Sequence, residues 1–319
     1  MTSKARSLVA KRARAVASAA RAAAPAAALL LVGVAAFAVL KWVRLGSKRD
    51  PKARGGKDEL AIWELLIAGE VVVWALFAVI GFRMLKTLGD RLPAALPYRR
   101  WSRETAEFLF LVYGAVALLL VLGWVAKLTS PTVLQGQQWK NLVLHLVAGV
   151  AIFPFLVALK RIQLCADESS SWSLTTSDIE LHRLLRGHLR TATMCLGAII
   201  ALAVVATGAL RNAVEVAKLD PPPDTFVVLY GAWFTAILAA IYLYVFGALE
   251  KRGRQIVNDA APLKERDLRS AQDDDATNRR RKSLSEELEL GGDPRKNLEG
   301  LVAVFSPLIG ALLSQLGGL

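Results

Sequence analysis

The chain offers little to metal or disulfide chemistry. Its two cysteines, Cys165 and Cys195, cannot build a disulfide framework, and three scattered histidines give no zinc-ligand spacing. His182 and His188 stand six residues apart, which a helix places on different faces. No phosphate-cradling glycine loop, dinucleotide fingerprint, nucleophile elbow or zinc-protease motif occurs. No catalytic residue, metal or cofactor is therefore expected, and the reading is of a protein that is not an enzyme. Alternation of apolar and polar residues with period two is missing as well, which excludes a membrane β-barrel.

What is present is apolar sequence in blocks. Hydrophobic residues make up 54% of the 319 residues, and they gather in runs of the length a helix needs to cross about 30 Å of hydrocarbon. Backbone groups in lipid must be satisfied within the segment, so the fold class expected is all-α, a polytopic transmembrane helical bundle. Six runs read as spans: Pro25–Leu40, Leu60–Phe82, Thr105–Ala126, Leu142–Leu159, Thr191–Leu210 and Phe226–Leu249. Tryptophans such as Trp42, Trp101, Trp124 and Trp139 fall near their ends, where an indole suits the boundary between headgroup and tail. The organisation expected is a basic arm over 1–24, a six-span domain over 25–249, a charged flexible linker over 250–292 and an apolar helix over 293–319.

Charge placement sets the orientation and narrows the partners. The net charge is +13, yet from Glu250 to Glu299 basic and acidic residues balance at 12 each, so the whole excess flanks the spans. That distribution fits topology signals and anionic lipid headgroups, and it argues against nucleic acid. The 83–103 loop carries six basic residues and the 160–190 loop five, against two each in 127–140 and 211–224. The richer loops, the arm and the tail are thus expected in the cytosol of a multi-pass cell (inner) membrane protein, with both termini cytosolic. The stretch from Lys41 to Lys57 dissents with seven basic residues on the outer side. An uncleaved first span and a cleaved signal peptide ending at Ala36-Phe37-Ala38 both leave it there.

Ser177 and Glu180 have the spacing of a capping box. The helix they open interleaves Ile179, Leu181, Leu184, Leu185 and Leu189 with Arg183, Arg186 and Arg190. It reads as an amphipathic approach to the fifth span, lying against anionic headgroups. From Arg254 to Gly292 charge is dense and aromatics are few, a composition unable to offset ordering entropy. Asp293-Pro294 then opens a helix, in which Leu298, Leu301, Phe305, Leu308 and Leu312 form an apolar stripe while Ser306, Gly310 and Ser314 form a small-residue face. Such a face allows close helix approach and hydroxyl bonds across the contact. The expected placement is on the membrane surface or beneath the bundle, with self-association or conditional insertion as the functional alternative and a seventh permanent span, disfavoured by Pro307 and Gly317-Gly318, as the third reading.

Three ionisable residues within the spans stand out as candidates. Glu70 lies near a span centre and shares a face with Trp63, Ile67 and Trp74, while Glu64 and His145 lie about one turn inside the outer surface. Ionised groups at such depth are costly and mark ion or proton sites, or protonated groups that bond a neighbouring helix. The function expected is that of a non-enzymatic membrane effector or channel-like assembly regulated through its C-terminal tail. The logic is shared with membrane-disrupting effectors of bacterial defence. A secondary transporter using Glu70, and a scaffold recruiting a soluble partner through the tail, are the alternatives. A homo-oligomer follows from the small-residue face.

Overall fold

Apolar residues spaced for a helix face give helices at every described position of regular structure. A computed structural model describes residues 57–91, 98–125, 135–168, 176–216, 223–262, 271–290 and 294–316. Among these residues seven helices occur and no strand: α1 (Lys57–Arg91), α2 (Tyr98–Val125), α3 (Gln135–Glu168), α4 (Thr176–Val216), α5 (Asp224–Ala260), α6 (Ala271–Glu287) and α7 (Pro294–Leu316).

Four of them are long and apolar enough to cross a membrane, over Ile62–Asp90, Val147–Asp167, Asp178–Val216 and Thr225–Ala260. These correspond to the second, fourth, fifth and sixth expected spans. The first, together with the basic arm, lies outside the described residues. The third is helical as far as Val125 but is not among the four. The amphipathic approach and the fifth span are one continuous helix, the 41-residue α4, about 60 Å long.

α4 is the centre of the bundle, packed on α1, α3, α5 and α7. Its Leu185, Leu189, Ala192, Leu196 and Ile199 are buried together with Phe155, Leu159 and Ile162 of α3 and Leu238, Val245 and Leu249 of α5. α2 packs against α3 at the margin. Pro154 sits inside α3 without ending it, and α1 receives its ring at Gly81, where a Cβ would stand 2.9 Å from Pro154 Cγ. Large apolar side chains point outward around the bundle, with Phe110 83% exposed and Leu111, Val150, Leu65 and Leu243 between 64% and 70%. In water such a surface would drive association. Against lipid tails it is what the surroundings favour.

The C-terminal helix is not laid on a surface. α7 occupies the groove between α4 and α5, and its most extensive packing is on α4. Ser306 meets Gly197, Gly310 meets Ala201 and Ser314 meets Gly208, so α7 runs parallel to α4. Gly300 meets Tyr242 while Pro307 and Ala311 meet Gly231, so it runs antiparallel to α5. This differs from the surface placement expected of the helix. The Ser306, Gly310 and Ser314 face is spent on contacts within the chain. The helix also leads away from the arginine-bearing end of α4, so its C-terminal end lies at the opposite end of the bundle from α6. Composition alone could not reveal this, because a helix of mixed small and large apolar residues suits a surface and a groove equally well.

Candidate functional site

Pro307 has no backbone N–H, so the Ala303 carbonyl one turn earlier loses its ordinary helical donor. The Ser306 hydroxyl donates to that carbonyl instead, at 2.7 Å. Ser314 bonds the Ala311 carbonyl in the same way, at 2.7 Å. The hydroxyls therefore turn back onto their own helix and do not reach across, contrary to expectation. Across the contact the work is steric. A Cβ at Gly197 would fall 2.6 Å from Ser306 Oγ, one at Gly208 2.5 Å from Ser314 Cβ, and one at Gly231 2.7 Å from Ala311 Cβ. Glycine at these three positions lets three backbones meet. The opposite side of α7 exposes Leu301, Val302, Phe305, Ile309, Leu312 and Leu313.

The chain reaches α7 through a second set of contacts at the other end of α4. α6 closes in a Schellman turn: the Glu289 amide donates to the Glu286 carbonyl at 3.1 Å and the Leu290 amide to Ser285 at 2.7 Å. Glu289 occupies the left-handed position with φ 57°, a place where glycine is the usual residue. The turn buries Leu288 with Ile256 and Val257 of α5, and Ile179, Leu284 and Leu290 pack around them. Arg281 donates to the Ala261 carbonyl at 2.7 Å and to Asn258 Oδ1 at 2.6 Å, which ties α6 to the C-terminal end of α5.

Three arginines of α4, three and four residues apart on one face, hold this turn. Arg183 pairs with Glu287 at 2.9 Å. Arg190 pairs with Glu289. Arg186 donates to the Glu289 carbonyl at 2.6 Å and to Glu250 of α5 at 2.7 Å, and its guanidinium stands 5.3 Å from the Phe246 ring centroid. A helix C-terminus carries partial negative charge, so cations suit it even without the carboxylates. The cleft between these elements measures about 390 Å³ and is lined by Arg183, Arg186, Gly187 and Arg190 on one side and Glu286 to Glu289 on the other.

Two readings are thereby revised. The charged stretch 250–292 is not simply a mobile linker: it contains the end of α5, the helix α6 and the docked turn, with 263–270 outside the described residues. Docking succeeds because leucines at 284, 288 and 290 supply the apolar contact that the overall composition obscures, and those leucines were a legible signal. The arginines, expected to face headgroups, face the turn.

Of the ionisable candidates, Glu70 and Glu64 are both buried, at 4% and 2% exposure, and Trp63, Ile67 and Trp74 are buried with them on one face of α1. The side chain of His145 lies outside the described residues. Among the described residues no cluster of histidine, cysteine and carboxylate has the arrangement of a metal site. Comparison of the chain with protein-family models, with curated proteins and with solved structures gives no match in any of the three. The class that the fold defines is an all-helical bundle with four helices fit to cross a membrane.

Proposed function

We propose that the chain is a non-enzymatic, multi-pass protein of the cell membrane, an effector or channel-like assembly whose activity depends on whether α7 is seated in the α4–α5 groove. The observation that carries this reading is the pairing of a helix seated on small residues with a lead-in held by arginine–glutamate contacts at the bundle's end. Seated or released, α7 keeps its large apolar side chains toward lipid, so the two states differ mainly in close packing and not in hydrophobic burial. A modest change in the clasp is then enough to shift the population. Release also uncovers the small-residue face, which a second copy could take up.

The test uses the full-length chain in liposomes loaded with a self-quenched dye. Arg183→Gln combined with Arg190→Gln should increase release, and deletion of residues 293–319 should abolish it. If the deletion variant releases dye as the intact chain does, the tail-regulated reading is wrong.

One observation favours a second reading, a secondary transporter. Glu70 and Glu64 are both buried on one helix. Glu70→Gln should then abolish pH-driven flux, whereas loss of α7 should leave it intact.

A further inference from the structure

The arginine cleft has capacity that the clasp does not use. Arg186 is 6% exposed, and its terminal nitrogens serve Glu250 and the Glu289 carbonyl, but its Nε–H has no partner. Gly187 shares the lining, and nothing lies within 4 Å of the place where its Cβ would stand. Beside three guanidinium groups there is thus an open volume, and next to it a donor that stays closed off while the clasp is shut and that the clasp leaves unused. Planar guanidinium groups at this spacing match the oxygens of a phosphate better than they match any neutral ligand.

Depth supplies the source. Arg190 immediately precedes the apolar run 191–210, so the three arginines stand where lipid phosphates stand if that run crosses the bilayer. Anionic headgroups are concentrated there without having to diffuse from solution.

We infer that this cleft is a binding site for the phosphate group of an anionic lipid headgroup, which competes with Glu287 and Glu289 for Arg183, Arg186 and Arg190. Competition, not simple addition, follows from the other wall. Glu286, Glu287 and Glu289 would repel a phosphate, so one enters only as these carboxylates swing away. Arg183 and Glu287 exchange first, since their side chains are 52% and 39% exposed and such a pair is weakly held. Arg190 and Glu289, at 30% and 23%, follow. Once both pairs are exchanged, the turn is held by Arg186, by the packing of Leu284, Leu288 and Leu290 and by the Arg281 bonds to the end of α5, with two of its ionic contacts gone. In consequence, and resting on the tail-regulated reading above, the lipid composition of the membrane sets how firmly α7 is held.

The experiment places the full-length chain in nanodiscs of phosphatidylcholine, of phosphatidylcholine with phosphatidic acid, and of phosphatidylcholine with inorganic phosphate in the buffer. Amide hydrogen exchange over 284–290 reports the state of the turn, and native mass spectrometry counts retained anionic lipid. Phosphatidic acid should accelerate exchange. Glu287→Gln with Glu289→Gln should raise lipid retention, and Arg183→Gln with Arg190→Gln should lower it by roughly tenfold, as the loss of charge-assisted phosphate contacts implies. Equal exchange in all three conditions overturns the site. So does undiminished retention in the arginine variant, which would place the lipid elsewhere. Acceleration by inorganic phosphate alone upholds the phosphate chemistry and overturns the lipid as its source. None of these readouts measures release of dye, so their failure leaves the effector reading to its own test.

Discussion

Gly310 lies against the backbone of Ala201, and a Cβ built on it would stand 3.0 Å from the Ala201 carbonyl oxygen. Carbonyl oxygens of a helix cannot move aside as a flexible side chain can, so bulk at Gly310 must separate α7 from α4. Gly310→Leu should therefore unseat the helix, at a cost of about 1–3 kcal/mol, the usual range for overpacking. Gly208→Leu acts on the same seam through Ser314. Exchange protection over 300–314 should fall in both variants while membrane insertion stays normal. Retained protection in both would mean that α7 does not depend on this seam.

Arg186 is the member of the clasp least open to water, with 8% of its side chain exposed against 17% for Glu250. Removing one partner of a buried pair leaves the other charge uncompensated, which costs about 3–5 kcal/mol. Arg186→Gln should lower the thermal midpoint by more than Arg183→Gln, whose lost pair is half exposed and contributes about 1 kcal/mol or less. Equal midpoints in the two variants would show that burial does not rank these contacts.

Glu289 holds a left-handed backbone position that glycine would occupy with less strain. Glu289→Gly relieves about 1 kcal/mol of that strain but removes the carboxylate that Arg190 holds. The two effects nearly offset, so the midpoint should change little at physiological salt. The salt dependence should change: added salt weakens the clasp of the parent chain and should affect the variant less. An unaltered salt response would mean that the Arg190 contact contributes nothing in solution.

Because α7 runs parallel to α4, the two ends of the tail lie at opposite ends of the bundle. Single cysteines at Ala276, on α6, and at Gln315, near the end of α7, should be labelled by an impermeant reagent from opposite sides of the membrane. Labelling of both from one side would contradict the seating of α7.

Helical class and four of the apolar segments were legible in the residues themselves. The spacing that buries Trp63, Ile67, Glu70 and Trp74 on one face of α1 was legible too. Each depends on local periodicity or on charge count, and both are properties of the chain before it folds. The small-residue face of α7 was also evident, but its partner was not. A Ser306, Gly310 and Ser314 run specifies close packing against something small, and lipid, a second copy and α4 all remained open.

Tertiary structure decided that question, because only the assembled bundle sets Gly197, Ala201 and Gly208 beside those residues in matching register. It also decided the role of Arg183, Arg186 and Arg190. Interleaved with leucines, they satisfied the pattern of a helix resting on headgroups, since a positive charge on a helix face attracts any anion of suitable depth. Which anion arrives first depends on a turn about a hundred residues later in the chain. That turn docks because Leu284, Leu288 and Leu290 find Ile256 and Val257; the leucines in a charged tail signal that something apolar is met, but no local pattern names a partner at such separation.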